Sequence, residues 1–147
     1  MKARSLLVCV AALFAIGVSA QAADRVYDDT GSVWTVGYIE TKPGHFDDYI
    51  ENLHSIWKRY LDEQKKDGSV LSYKMIAVGF PRDGEPDLML MVEYKNYAAF
   101  DRGNAYFDEL AKKLQGGTKQ ATQSNIDREE LRTLRGGWVG RELKFKN

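Results

Sequence analysis

From Val33 onward the apolar residues change their spacing several times, and this change of period limits the fold more than any other property of the chain. Val33-Trp34-Thr35-Val36-Gly37-Tyr38-Ile39 is rich in β-branched and aromatic residues and reads as a strand, which Lys42-Pro43-Gly44 breaks. From His45 the spacing becomes three or four residues. Phe46, Ile50, Leu53, Trp57, Tyr60 and Leu61 fall within a stripe of about 100°, the width of a helix face packed on a core. Asp67-Gly68 supplies the stop. Ser69 to Phe80 and Asp87 to Lys95 then read as two strands of a hairpin, joined through the Pro81 to Pro86 turn. Asn96 is expected to cap a second helix with Phe100, Phe107, Leu110 and Leu114 on its apolar stripe, ended by Gly116-Gly117. Residues 118–126 carry no pattern. Asp127 with Glu130 predicts a cap for a short helix through Leu134, stopped by Gly136-Gly137, and Trp138 to Phe145 forms the last strand.

The order βαββαβ defines an α+β chain of ferredoxin-like type: a four-stranded antiparallel sheet with its helices on one face. The strand faces then carry information, because a sheet face left to water should be polar. Leu88, Leu90, Val92 and Tyr94 share one face of the third strand, and Met89 and Met91 precede Glu93 on the other. The first strand divides into Trp34, Val36 and Tyr38 against Val33, Gly37 and Ile39. Both faces are largely apolar and the helices cover one. A second copy of the same sheet is the simplest cover for the other, which makes the expected partner another copy of this chain.

The N-terminus reads as an address. Lys2 and Arg4 are followed by the apolar run Leu6 to Val18, too short to span a membrane, and by Ala20-Gln21-Ala22, a small-x-small cleavage pattern. A signal peptide over 1–22, an arm over 23–32 and one domain over 33–147 follow, with a periplasmic or secreted location and no stable membrane insertion after cleavage. The single cysteine, Cys9, lies in the segment that would be removed, so the mature chain holds together without disulfides. The whole chain carries 21 basic and 21 acidic residues. That balance argues against a nucleic-acid partner.

Few residues offer chemistry. His45 and His54 are nine positions apart, on opposite sides of one helix, and cannot share a metal within a chain. No cofactor-binding motif, glycine-rich phosphate loop or nucleophile arrangement is present, so the expected cofactor and metal sets are empty and no catalytic residue is assigned. His45 reads as a solvated first-turn residue. On the helical wheel His54 falls at the edge of the apolar stripe. It is either a ligand-orienting donor, shuttle or axial ligand, or a half-buried histidine hydrogen-bonded to Glu51 or water. Trp34, Tyr38, Trp57, Tyr73 and Phe107 either line a pocket or pack as core. The expected ligand-binding set is His54, Trp57, Tyr38 and Tyr73, around a small apolar or aromatic molecule. The acidic groups Asp47-Asp48 and Asp127, Glu129 and Glu130 read as solvated faces or caps, and Arg141 as an anion contact or a partner for a surface acid.

With Lys42-Pro43-Gly44 between the first strand and a long amphipathic helix, residues 33–145 resemble the dimeric α/β-barrel superfamily, which includes antibiotic-biosynthesis-type monooxygenases. The runs Glu93-Tyr94-Lys95-Asn96 and Arg141-Glu142-Leu143 are similar to those of uncharacterised exported bacterial proteins. The resemblance implies a homodimer whose sheets face each other and a pocket between each sheet and its own helices. It does not imply one activity. Haem-degrading members use an Asn, Trp and His set that this sequence does not place, since Asn52 and Asn96 fall on helices. Two functions follow: an exported homodimer that binds a small apolar or aromatic molecule, or a small monooxygenase or isomerase on the same scaffold.

Overall fold

A computed structural model describes residues 25–147. The expected signal peptide over 1–22 lies outside the described residues. The elements run β1 (Tyr27–Asp28), β2 (Val33–Thr41), α1 (Phe46–Asn52), a π-helical turn (Leu53–Trp57), α2 (Lys58–Lys66), β3 (Val70–Ala77), β4 (Leu88–Tyr94), a 3-10 turn (Tyr97–Phe100), α3 (Asn104–Gln115), α4 (Thr118–Arg128), β5 (Arg132–Arg141) and β6 (Lys144–Phe145). The main sheet has the order β3-β4-β2-β5, every neighbour antiparallel. This is the ferredoxin-like arrangement expected from the sequence.

The register fixes the faces. Val33, Thr35, Gly37 and Ile39 of β2 stand opposite Tyr94, Val92, Leu90 and Leu88 of β4, and these form the inner face beneath the helices. Ile39 and Leu88 are buried there with Tyr49 and Leu53, and Leu61, Val70 and Val92 close a second cluster. Trp34, Val36 and Tyr38 stand opposite Glu93, Met91 and Met89 on the outer face. Trp138 joins them opposite Val36, and Ile76 opposite Met89. Among the described residues no helix covers this side. Trp138 and Ile76 are exposed large hydrophobics, whereas Val36 is shielded by its neighbours.

Several local expectations are corrected. The described part of the arm is not loose: Tyr27 and Asp28 pair with Phe145 and Lys144, and Arg141 Nη1 donates to the Asp29 carbonyl at 2.7 Å. Asn96 accepts from the Ala98 N–H at 3.1 Å, yet the cap opens only a 3-10 turn, and α3 begins eight residues later. Phe100 therefore leaves the helix stripe and packs on Tyr94, ring centroids 4.8 Å apart. Residues 118–128 form α4, which lies against α3 rather than on the sheet, so its sequence needed no core-facing stripe. The short helix expected through Leu134 does not form. Asp127 lies in the last turn of α4, and Leu134 lies in β5.

Gly136-Gly137 is a β-bulge, not a helix stop. Between the pairs Gly37↔Gly137 and Ile39↔Leu134, two steps along β2 are matched by three along β5. Gly136 sits at φ +90°. A Cβ at Gly137 would come within 2.3 Å of the Val36 carbonyl oxygen, so only glycine fits this crossing. Side chains alternate faces along a strand, so the extra residue reverses the assignment below it. Leu134 and Arg132 thereby turn to the inner face, opposite Ile39 and Thr41.

Candidate functional site

The long helix beneath the inner face is not regular. Tyr49, Leu53, Trp57 and Leu61 recur every four residues. On a helix of 3.6 residues per turn such a series drifts by about 40° per step. The π-helical turn Leu53–Trp57, with its wider loop of hydrogen bonds, absorbs that drift and keeps all four on the sheet side. Tyr49 and Leu53 are completely buried, and Leu61 nearly so. A regular wheel misplaces the neighbours: it puts His54 on the border of the stripe, and the structure leaves His54 exposed.

Over β3 the helix seals the sheet. Towards β5 it does not. α3 lies against α2 and α4 instead of on the strands. The space left is an open cleft of about 610 Å³. Its floor is the inner face, including Thr35, Gly37, Val92 and Val139. Its roof is Tyr49, Leu53, Trp57 and Leu61, and Arg128 and Arg132 stand at its end. Leu134 and Val139 lie in its open side and are each 54% exposed. A Cβ at Gly37 would meet nothing within 4 Å, so the glycine is part of the cleft's volume rather than a packing requirement. A smaller hollow of about 370 Å³, between the long helix, α3 and α4, shares Trp57 and Arg128 with it and adds Tyr60 and Phe107.

The polar atoms of the cleft are distinctive. Tyr49 Oη, Arg128 Nε and Arg132 Nε are buried and have no hydrogen-bond partner among the described residues. The Arg132 guanidinium lies over the Tyr49 ring, 5.7 Å from its centroid, and its Nη2 donates to Glu129 Oε1 at 3.0 Å. Burial pushes the Tyr49 phenol up from its ordinary range, against the pull of the two arginines. Burial likewise pushes Arg128 down, and the charge of Arg132 adds to that. A buried polar atom without a partner costs about 1–3 kcal/mol, so three around one cavity mark a place where something else belongs.

The structure does not bring the four expected site residues together. Trp57 lines the cleft. Tyr73 lies behind it, edge-on to Trp57 at 5.3 Å, with its hydroxyl donated to Asp62 Oδ1 at 2.7 Å. Tyr38 is on the outer face, where its hydroxyl accepts from Trp138 Nε1 at 3.1 Å. His54 faces away from the cleft, because the π-turn changes the helix phase at that point. His45 makes a 2.9 Å contact with Asp48 Oδ2 in the first turn. The residues missed were Tyr49, Arg128 and Arg132. The four-residue spacing that links Tyr49 to Leu53, Trp57 and Leu61 was a visible signal for the first. The paired glycines that make the bulge were the signal for Arg132.

No family model matches this chain, and no curated protein matches it. Solved structures of similar fold include a Pseudomonas aeruginosa protein at 14% identity and TM-score 0.44, covering 81% of this chain and 99% of that one. A Shewanella oneidensis protein matches at 18% identity and TM-score 0.44, covering 80% of this chain and 98% of that one. A protein described as dimeric and ferredoxin-like, from an uncultured marine organism, matches at 9% identity and TM-score 0.48, covering 81% of this chain and 92% of that one. Likenesses at this level assign no activity, ligand or partner to this chain.

Proposed function

We propose that this protein is an exported homodimer that binds a small apolar or aromatic molecule in the cleft between its sheet and its long helix. The observation that carries the binding reading is the cleft itself. It is of ligand size, is built largely of apolar and aromatic groups, and has a few convergent polar atoms at one end. The export reading rests on residues 1–22 and is tested by the mass of the chain recovered from the cell envelope, which should begin near Ala23.

Gly37→Val tests the cleft. The new side chain enters open volume from a strand position that favours β-branched residues, so stability should hold or rise by about 0.5–1 kcal/mol. Binding of an aromatic probe such as 2-naphthoate, followed by calorimetry, should be lost. Undiminished probe binding by a folded Gly37→Val protein removes this cleft as the site.

The dimer reading rests on the outer face, where Trp34, Tyr38, Met89, Met91, Trp138 and Ile76 form an apolar surface. Lys74 lies over the Trp34 ring at 5.0 Å, and the ion pair of Arg135 with Glu40 adds charge at the margin. An apolar centre with a charged edge suits a self-complementary interface. Met91→Asp should shift sedimentation from dimer to monomer at micromolar concentration. A wild-type protein that sediments as a monomer refutes this part and leaves the cleft reading untouched.

A further inference from the structure

We infer that the cleft takes a small, mostly apolar carboxylate, its anionic head held by Arg128, Arg132 and Tyr49 and its body lying against Trp57 and the inner face of the sheet. The inference rests on the cleft being a ligand site and adds the chemical class.

Charge balance is the first argument. Arg132 is paired with Glu129 at the rim. Arg128 has no acidic partner among the described residues and is half-buried beside a second guanidinium. Two adjacent cations served by one exposed carboxylate leave about one positive charge uncompensated in a partly desolvated cavity. A monoanion removes that excess, whereas a dianion would overcompensate it.

Hydrogen bonding is the second argument. The three unpartnered atoms are all donors towards an anion: Tyr49 Oη through its hydroxyl proton, and Arg128 and Arg132 through Nε–H. A planar carboxylate with two oxygens, each able to accept more than one bond, suits a phenol and the edges of two guanidinium forks. The raised phenol pKa keeps the Tyr49 proton in place for that role.

Shape is the third argument. A carboxylate fills only a small part of about 610 Å³. The remaining lining, with Leu53, Trp57, Leu61, Val92 and Val139, offers apolar contact to the body of the ligand.

The probe pair is 2-naphthoate and its neutral counterpart 2-naphthylmethanol, titrated calorimetrically into the purified protein. Wild type should bind the carboxylate at least tenfold more tightly. In Arg128→Gln the naphthoate affinity should fall at least tenfold, with naphthylmethanol nearly unchanged. If circular dichroism shows that Arg128→Gln does not fold, Arg128→Lys takes its place. That variant keeps a charge but loses the fork, and it should reduce the preference at least threefold. Equal binding of acid and alcohol by wild type, or an undiminished preference in the folded variant, overturns the carboxylate inference while leaving the cleft as an apolar site. Binding of neither probe overturns both readings.

Discussion

The two halves of the inner face share strands and one long helix, yet they are finished differently. On the β3 side, Val70 is buried against Leu61 and Val92, and the cleft stops there. On the β5 side, Leu134 and Val139 point into the same layer and remain half exposed. Apolar content does not separate the halves. What separates them is the position of α3, which is held against α2 by a polar clamp at some distance from β5. Asp67, at the end of α2, accepts from Arg102 Nη1 and Nη2 at 2.5 and 3.0 Å and from the Tyr106 hydroxyl at 2.6 Å. A core is sealed where a helix lies on the sheet and becomes a site where the second helix stands aside.

The largest expected contrast comes from Leu53→Ala. Leu53 roofs the cleft but is itself fully buried against Ile39, Tyr49 and Leu88, and its loss should cost about 2–5 kcal/mol in chemical denaturation. A cost below 1 kcal/mol would mean that the contact of the long helix with the sheet is not close-packed. Asp67→Asn addresses the clamp and should cost about 1 kcal/mol at pH 7, since its partners are partly exposed and screened. Arg102 holds the Asp67 carboxyl well below its ordinary value of 3.8. Its contribution is therefore fully present above that value and is lost as the pH falls through the lower, folded-state pKa. Denaturation curves should show wild-type stability dropping below about pH 4 and a shallower drop in Asp67→Asn. An equally steep drop would locate the acid sensitivity elsewhere. The smallest effect belongs to Leu134→Ala on the open side, under about 0.5 kcal/mol. A loss comparable to that of Leu53→Ala would show that the cleft is closed in solution.

The sheet was legible because each strand alternates with period two and the faces could be assigned residue by residue. Leu88, Leu90 and Val92 against Met89 and Met91 came directly from that alternation. The site was less legible because its aim depends on two departures from ideal periods. A wheel of constant phase put His54 at the border of the apolar stripe and left Tyr49 out, because a π-turn does not register in a hydrophobic pattern read at 100° per residue. Gly136-Gly137 carried a real signal with two meanings, a helix stop or a bulge. Only the close approach of Val36 to Gly137 decides between them. α4 was invisible for a third reason: it packs on another helix and exposes most of its surface, so its residues show little amphipathic contrast.

The bulge in β5 also separates inheritance of the fold from inheritance of the site. Pairing β5 with β2 without the bulge and without losing a residue, which a β-branched residue at Gly136 would favour, would restore an unbroken ladder and keep strand order and connectivity. It would also send Arg132 and Leu134 to the outer face and bring Thr133 and Arg135 inward. A chain paired in that straight register would keep the same architecture, present a cleft with a different charge pattern, and bury an arginine in any sheet-to-sheet interface. Among proteins of this shape, then, one substitution that straightens a strand irregularity can redirect ligand choice and assembly together, while the overall topology records no change.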